Sequence, residues 1–445
     1  MKLLPVGLAL FVIARNSAAA EAPPEPTPNA ASVVVTPAYV NGLAEELRTN
    51  HPALRAARAR VQAADAGVRA VRVWEGPQLR LGGMFADKGM RAEDGDLLYG
   101  VEQRLPLFGK PQLARRVAEA ERTKEQANGE FEFQQQRRNL AQALFRTSLA
   151  DRVAEVSAED LRWLEGMAQS TEQRYRAGES TLVDLLRVQN EQSKQADKLR
   201  TDRQNLEHER FALNRLLNRD LQSSWSPLRL PPLAGPVEYS SRLVNLALQY
   251  EPRLKVLQQE VQQAQANARL TKRQRLPEVT VGALGRNYSG NGEFRQAEVM
   301  LGFSLPLGNA RKYRSDYERD QARVTAAEQV AADYAASVRE DVHRLTVQID
   351  AARRGAVLYR DEIIPRSESA RESAQAAWSA GRGTFNDVLE ARRMLLEARL
   401  MFARAIAEQY QMLSDLVLCC GLGDLEALQM IGATSEPAPT AQSKP

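Results

Sequence analysis

Four short segments of this chain largely alternate between apolar residues and small or polar residues. Such a period of two is typical of β-strands with one apolar face. In the first segment Leu79, Leu81 and Phe85 share a face, while Arg80 and Gly82 share the other. The segments lie at residues 79–86, 99–105, 279–283 and 297–305. Because they occur in two pairs, the pattern predicts two β-hairpins, with polar tips in water at residues 87–96 and 287–296.

Long segments with helical spacing separate the hairpins. Residues 112–177 contain no proline, and one helix through them would be about 100 Å long at 1.5 Å per residue. This greatly exceeds the usual helix of about 11–12 residues. Apolar positions such as Leu140 and Leu144 favour packing against partner helices. One shorter helix is predicted ahead of each hairpin, at residues 43–73 and 243–273.

The second half of the chain repeats the first. Blocks match in the same order at an offset of 200 residues, which becomes 203 after a short insertion. Matched pairs include Pro52 and Pro252, Val61 and Val261, Pro77 and Pro277, Gly82 and Gly282, and Leu-Pro-Leu at 105–107 and 305–307. Self-similarity of this kind indicates tandem duplication. We interpret residues 41–230 and 241–423 as two copies of one unit, in which a helix, a β-hairpin and a long helical hairpin follow each other.

Each helical hairpin turns at the same motif. A glycine is followed three residues later by a threonine and three further on by an aspartate: Gly178, Thr181 and Asp184 in the first copy, and Gly381, Thr384 and Asp387 in the second. Glycine suits the end of a helix where φ is positive. Threonine suits the N-cap of the next helix, and the aspartate can complete a capping box. One interpretation is that the motif does no more than shape the turn. Because the flanking residues also match between the copies, a functional role is equally open.

The ends of the chain differ from the repeats. A lysine at position 2, an apolar stretch and small residues before position 20 predict a signal peptide at residues 1–20, so the mature chain is exported. Residues 21–40 are predicted to form a proline-rich extended arm. Residues 424–445 are predicted to be a disordered tail.

Composition narrows the classes of function. The chain has 60 basic and 56 acidic residues, which gives no argument for a nucleic-acid partner because such binding needs a concentrated basic face. The two cysteines, Cys419 and Cys420, are expected to be buried small residues or free thiols rather than metal ligands, since no histidine is nearby. No metal site, other cofactor or catalytic group is predicted, so we do not expect an enzyme.

The length of the strands suggests a membrane. Strands of about 8–11 residues can cross a bilayer when tilted. Four strands cannot close a barrel, because single-chain barrels begin at eight strands, and open sheet edges are not tolerated in lipid. Either the sheet lies in water, or several chains share one barrel, and three chains would contribute 12 strands.

Together, the duplication, the Leu-Pro-Leu sequences and the two turn motifs resemble the TolC-type outer-membrane efflux channels over residues 40–423. The order Pro-Leu-Phe-Gly-Lys at residues 106–110 is similar to the heavy-metal branch around CzcC and CusC. The resemblance implies a mainly α fold with a small β part. Three chains would form a trimer with a 12-stranded β-barrel in the outer membrane. A long α-helical barrel would extend this channel into the periplasm.

The resemblance also implies a function. Such a homotrimer is the exit duct of a tripartite efflux pump, located in the outer membrane with a large periplasmic extension and in contact with outer-membrane lipid. It passively conducts the substrates that a periplasmic adaptor and an inner-membrane transporter deliver. The resemblance implies a transporter of the RND type. The adaptor would dock at the tips of the helical hairpins, which are marked by Gly178, Thr181, Gly381 and Thr384.

A gate at the same tips is a further implication. TolC-type channels are constricted there by an acidic ring and by polar links between helices. Gly383 stands where TolC has a link-forming arginine, so the closing network differs here. The matching positions in this chain are Asp387, Glu390, Trp378, Asp184 and Arg187.

The residues themselves support an acidic constriction at the second tip. Asp387 and Glu390 lie three residues apart and can share a helix face. Three copies would then form two stacked acidic rings that favour cations. The alternative is that Asp387 only caps its helix and Glu390 is a solvated helix residue.

Two other classes of protein compete with the channel. A secreted or periplasmic scaffold of long helices would explain the helices, but not the alternating hairpins at matched positions. A periplasmic adaptor would show one helical hairpin flanked by a split β domain, not a duplicated strand–helix unit.

Overall fold

The computed structural model describes residues 32–83, 96–288, 292–304 and 308–423. The predicted signal peptide, most of the proline-rich arm and the C-terminal tail lie outside the described residues. The same is true of most of the first hairpin tip, part of the second, and the second Leu-Pro-Leu sequence.

Both copies contain two helices, two strands and a long helical hairpin in that order, and the first copy has the short strands β1 and β4 in addition. The first contains β1 (Val33–Val34), α1 (Pro37–Asn50), α2 (Pro52–Ala70), β2 (Gln78–Gly83), β3 (Asp96–Arg104), α3 (Lys110–Arg176), α4 (Leu182–Leu217) and β4 (Leu228–Arg229). The second contains α5 (Ser241–Tyr250), α6 (Pro252–Gln274), β5 (Glu278–Tyr288), β6 (Phe294–Ser304), α7 (Ala310–Leu358), a π-helical turn (Tyr359–Ile363), α8 (Ile364–Ser379) and α9 (Phe385–Cys419). No helix in the described part of the chain is both long and apolar enough to cross a membrane.

The long helices agree with the sequence pattern, with one local difference. α3 is a single helix of 67 residues. Its counterpart in the second copy passes from α7 through the π-helical turn into α8, where Pro365 lies in the first turn. Proline has no N–H and its ring crowds the carbonyl four residues earlier, which here belongs to Asp361 in the π-helical turn. The wider turn accommodates this crowding.

The prediction of one helix ahead of each hairpin is wrong. α1 and α2 are separated at His51, and α5 and α6 are separated at Glu251. Both residues have ψ near 120°, at 126° and 122° respectively. Each precedes a proline, and the proline ring disfavours helical backbone in the residue before it. The helix therefore stops and restarts with the proline in its first turn.

The end of the predicted arm is folded rather than extended. β1 pairs in parallel with β4, and α1 already begins at Pro37. The side chain of Thr36 accepts a hydrogen bond from the N–H of Tyr39 at 3.2 Å. A threonine N-cap followed by proline is a favourable start for a helix, so the local sequence explains the earlier beginning.

One antiparallel sheet joins the two copies. Its strand order is β2-β3-β5-β6, so the central pairing of β3 with β5 unites the two hairpins. The predicted alternation is confirmed in the described strands, since apolar side chains such as Leu79 (68% exposed) and Val299 (83% exposed) project from one face. The opposite face carries charge, including an ion pair between Arg80 and Glu102. Within the described residues, β2 and β6 each have one edge without a strand partner.

The main hydrophobic core lies where α1 and α5 pack on the middle of the long helices. It contains Leu140, Leu144, Phe145, Leu413 and Leu416, among others. Cys420 is buried at its margin and Cys419 is half-buried, and both are free thiols as expected. Burial raises the pKa of Cys420 to about 12, so this thiol stays protonated at neutral pH.

Candidate functional site at the helical tips

The two helical hairpins turn as their sequences predict. Gly178 and Gly381 have φ of +78° and +70°, a backbone region that glycine adopts without strain. In the first turn the N–H of Glu179 donates to the carbonyl of Arg174 at 2.8 Å. In the second, the N–H of Arg382 donates to the carbonyl of Ala377 at 2.9 Å. These bonds satisfy carbonyl groups at the helix ends that would otherwise lack a partner.

The threonines and aspartates cap the following helices. Thr384 and Asp387 form a complete capping box, in which the carboxylate of Asp387 accepts from the N–H of Thr384 at 3.0 Å. In the first copy, Thr181 accepts from the N–H of Asp184 at 3.2 Å and donates its hydroxyl to the carboxylate at 2.7 Å. Hydrogen bonds from the hydroxyl and N–H of Thr384 hold the pKa of Asp387 below its ordinary value. Asp387 is therefore an exposed, ionised group at neutral pH.

Glu390 belongs to an ion-pair chain that joins the two copies. Its carboxylate accepts from Arg393 at 2.8 Å, and the same guanidinium donates to Glu191 of α4 at 2.7 Å. Partial burial opposes ionisation of Glu191, but hydrogen bonds from Arg393 and Lys194 outweigh it and hold its pKa low. Two carboxylates thus share one arginine, and because Lys194 also donates to Glu191 at 3.0 Å, the group as a whole carries no net charge.

Trp378 packs inside the tip as part of a small apolar cluster. Its ring lies 6.0 Å from that of Phe385, and the guanidinium of Arg174 lies 4.5 Å above it. Arg174 comes from the first copy, so this cation–π contact joins the two hairpins. The cluster contains Leu164, Met167, Val188, Phe385 and Leu389, with Trp163, Ala168 and Trp378 packed against it.

A buried ion pair lies deeper along the helices. Arg392 of α9 donates to Asp160 of α3 at 3.1 Å, and each side chain is 11% exposed. The guanidinium also lies 5.2 Å from the ring of Trp163. Burial raises the pKa of Asp160, although Arg392 opposes the shift. Sequence reasoning missed this pair because its members are 232 positions apart and no local pattern relates them.

Gly383 has a local reason to be glycine. Its N–H donates to the carbonyl of Ala377 at 3.0 Å. A Cβ at this position would lie 3.0 Å from that of Ala377 and 3.2 Å from the N of Trp378. A larger residue would require the end of α8 to shift by a few tenths of an ångström.

The structure thus places the predicted residues in two neighbouring groups. Asp387, Glu390 and Trp378 lie at the second tip, while Asp184 and the exposed Arg187 lie at the first. Arg174 and Arg393 connect the two, and neither was predicted. The role of these five residues in a gate stays a prediction. Within the described part of the chain, no group of three or more His, Cys, Asp or Glu side chains could hold a metal ion.

Known proteins share this architecture. The chain is 23% identical to the cobalt-zinc-cadmium resistance protein CzcC of Cupriavidus metallidurans over 423 residues, which cover 92% of this chain and 96% of CzcC. Its fold is similar to the outer-membrane channel OprN, with a TM-score of 0.75 at 18% identity, covering 86% of this chain and 90% of OprN. It is also similar to CusC, with a TM-score of 0.69 at 19% identity, covering 86% and 92% of the two chains. These likenesses confirm the predicted fold class, a mainly α chain with a small β part and the fold of TolC-like outer-membrane channels.

The model of the outer membrane efflux protein family matches residues 43–219 and 243–422, one stretch in each copy. This is a family of efflux channels and not of enzymes. Each matched stretch contains one copy of the repeated unit, with its β-hairpin of one apolar and one charged face and its long helical hairpin. The chain therefore belongs to the outer membrane efflux protein family, and it is the outer-membrane exit duct of a tripartite efflux system.

Proposed function

We propose that the tips of the helical hairpins close this duct and that docking of a periplasmic adaptor opens it. The observation that carries the proposal is the pair of exposed carboxylates, Asp387 and Glu390, on the first turns of α9. Contacts from Arg174 and Arg393 hold the second hairpin against the first directly beside them. Three copies of this carboxylate pair around a threefold pore would constrict it, and the contacts between the two hairpins would rearrange when the adaptor docks.

An acidic constriction favours cations as cargo. In a trimer, three copies of Asp387 and Glu390 would focus negative potential at the narrowest point. The relative CzcC is named for resistance to cobalt, zinc and cadmium. These three metals form divalent cations in water. We propose cations of this kind as cargo, delivered by an adaptor and an inner-membrane transporter of the RND type.

The first tip offers an apolar surface for the adaptor. Leu182, Val183 and Leu186 on the first turn of α4 are largely exposed, and Val183 is 62% exposed. Tyr175 is exposed on the α3 side of the same turn. Neighbouring apolar residues at a helical tip suit packing against the helical hairpin of a partner. Gly178 and Gly381 allow close approach because neither has a side chain.

Site-specific crosslinking tests the docking of the adaptor. Cysteine at Glu179 or Arg382, next to the two tip glycines, should crosslink to the adaptor in intact cells. Cysteine at Gln296, at the far end of the sheet, is the matched control and should not. The native thiols should give little background, because Cys420 is buried and Cys419 half-buried. Crosslinks from position 296 alone, or from none of the three, would contradict docking at the tips.

A contact of the exposed apolar sheet face with outer-membrane lipid is also proposed. Val299→Arg should cost about 2–4 kcal/mol near the middle of the bilayer. Met300→Arg is the control, because its side chain projects from the opposite face of the same strand. Gly302 is unsuitable as a control, since a Cβ there would lie 2.5 Å from Oγ1 of Thr280. The yield of detergent-resistant trimer should fall for Val299→Arg only, and equal losses would argue against a lipid-facing surface.

A further inference from the structure

A basic cavity lies at the junction between the sheet and the helices. Its volume is about 660 Å³, and it opens between the start of α3 and the end of α6. Its lining includes five cationic side chains and no carboxylate: Arg116, Arg269, Lys272, Arg273 and Arg275. β3 ends and β5 begins only a few residues from these helix ends, so the cavity lies where the chain enters the membrane.

These cations have no counter-charge within the described part of the chain. None of the five forms an ion pair there within 4.0 Å, although most arginines of the neighbouring helices do, such as Arg115 with Glu119 at 3.1 Å. Lys272 has only the ring of Tyr317, at 5.8 Å. The end of α6 attracts cations through its dipole, but that gives no account of Arg116, which α3 contributes from across the cavity. Like charges gathered around one cavity are stabilised by a bound anion.

The lining of a neighbouring cavity indicates which side of the sheet the basic cavity faces. This second cavity is lined by positions of α3 and α6 other than those in the basic cavity, and by Arg104 and Glu278. These two residues project from the charged face of the sheet, where their side chains lie 3.5 Å apart. The basic cavity is thus on the side of the exposed apolar face, which carries Leu79 and Val299.

The rim of the basic cavity is apolar and aromatic. Phe108 is 44% exposed and has φ of +60°, a backbone conformation that bulky residues rarely adopt. Leu113 and Leu276 add apolar surface to the lining. Aromatic residues are enriched where membrane proteins pass from lipid to water. A polar centre beside an apolar rim matches a lipid headgroup with the start of its acyl chains.

We propose that this cavity binds the phosphate group of an anionic phospholipid in the leaflet that faces the periplasm, one in each chain of the trimer. The inference rests on the lipid contact proposed above and assigns its headgroup site. Arginine presents two parallel N–H donors to a phosphate, and Arg116 and Arg273 can contact it from two different helices. Such a lipid would tie the first copy to the second at the level of the membrane.

Lipid binding by the full trimer tests the proposal. Trimer in detergent is mixed with phosphatidylglycerol or with zwitterionic phosphatidylcholine, and bound lipid is counted by native mass spectrometry. The test variant combines Arg269→Gln, Lys272→Gln and Arg273→Gln. The matched control combines Arg200→Gln, Arg203→Gln and Arg215→Gln, which removes the same charge from exposed positions on α4.

Wild type and control should retain phosphatidylglycerol in preference to phosphatidylcholine. The test variant should bind phosphatidylglycerol at least about tenfold more weakly, since each basic residue near an anionic surface contributes about 1 kcal/mol, or roughly fivefold. If the test variant does not fold, Arg116→Gln alone should weaken binding about fivefold. Equal retention of the two lipids by the wild type, or of phosphatidylglycerol by all variants, would overturn the proposal.

Two further outcomes would also overturn it. Complete displacement of the lipid by inorganic phosphate would assign the cavity to a soluble anion. Loss of the trimer in lipid-free detergent, in the test variant but not in the control, would show that the cations pair with a neighbouring subunit. Failure of the lipid contact itself is distinguishable, because the wild-type trimer would then not insert into vesicles of any composition.

Discussion

Replacing Arg392 by methionine is expected to destabilise the protein by about 3–5 kcal/mol. The change leaves the carboxylate of Asp160 buried without its partner, and methionine replaces only the apolar part of the arginine side chain. Because the pair joins α3 of the first copy to α9 of the second, its loss loosens the packing of the two hairpins above the tip. Thermal unfolding of the purified trimer should begin several degrees lower.

The loss should depend on pH. Burial raises the pKa of Asp160, while Arg392, Lys198 and Arg393 lower it. Without Arg392 the pKa of Asp160 in the folded state rises further above its value in the unfolded chain. The folded variant then binds a proton more tightly than the unfolded chain does, so its stability relative to wild type improves as the pH falls. The deficit should be largest above that raised pKa.

Two controls make this prediction specific. Combining Arg392→Met with Asp160→Leu removes both charges and should recover most of the stability, because a buried ion pair can often be replaced by apolar residues at little cost. Arg152→Met breaks the exposed pair with Glu155 on the same helix and should cost no more than about 0.5 kcal/mol. Equal stability of Arg392→Met and wild type at all pH values would contradict a buried, energetically important pair.

Removing both carboxylates of the second tip is expected to change the ion selectivity of the duct. In planar bilayers, Asp387→Ala with Glu390→Ala should raise anion conductance and weaken block by divalent or trivalent cations on the order of tenfold. Three copies of each charge are lost, and a difference of about 1.4 kcal/mol in binding is tenfold in affinity. The change should shrink in 1 M salt, where the Debye length is about 3 Å.

Thr384→Ala is the matched control for the gate. It breaks the capping box at the same helix but keeps Asp387 and Glu390. Trimer yield should be similar in both variants, whereas selectivity and block should change only when the charges are removed. If the two variants behave alike, the cap and not the charge controls the pore. If neither alters selectivity or block, Asp387 and Glu390 are only cap and surface residues.

Features that depend on neighbouring residues could be predicted from the amino-acid sequence. The period of two in the strands, the glycines at positive φ and the threonine–aspartate caps are set within a few positions, because backbone conformation and capping are local. The duplication was visible for the same reason, since each copy preserves its own local pattern. Even the break at His51 and Glu251 has a local cause, because a proline follows each of these residues in the sequence.

The way in which the two copies meet depends on contacts between residues far apart in the sequence. The pairing of β3 with β5, the contact of Arg174 with Trp378 and the ion pair of Asp160 with Arg392 join residues that lie between about 180 and 230 positions apart. The basic cavity likewise unites Arg116 with the end of α6. Such contacts follow from the angle at which packed helices cross and from the register of strands, which no periodicity within one segment encodes. Local chemistry therefore specified the repeated unit, and packing between the units placed the charges that we assign to the tip and to the membrane boundary.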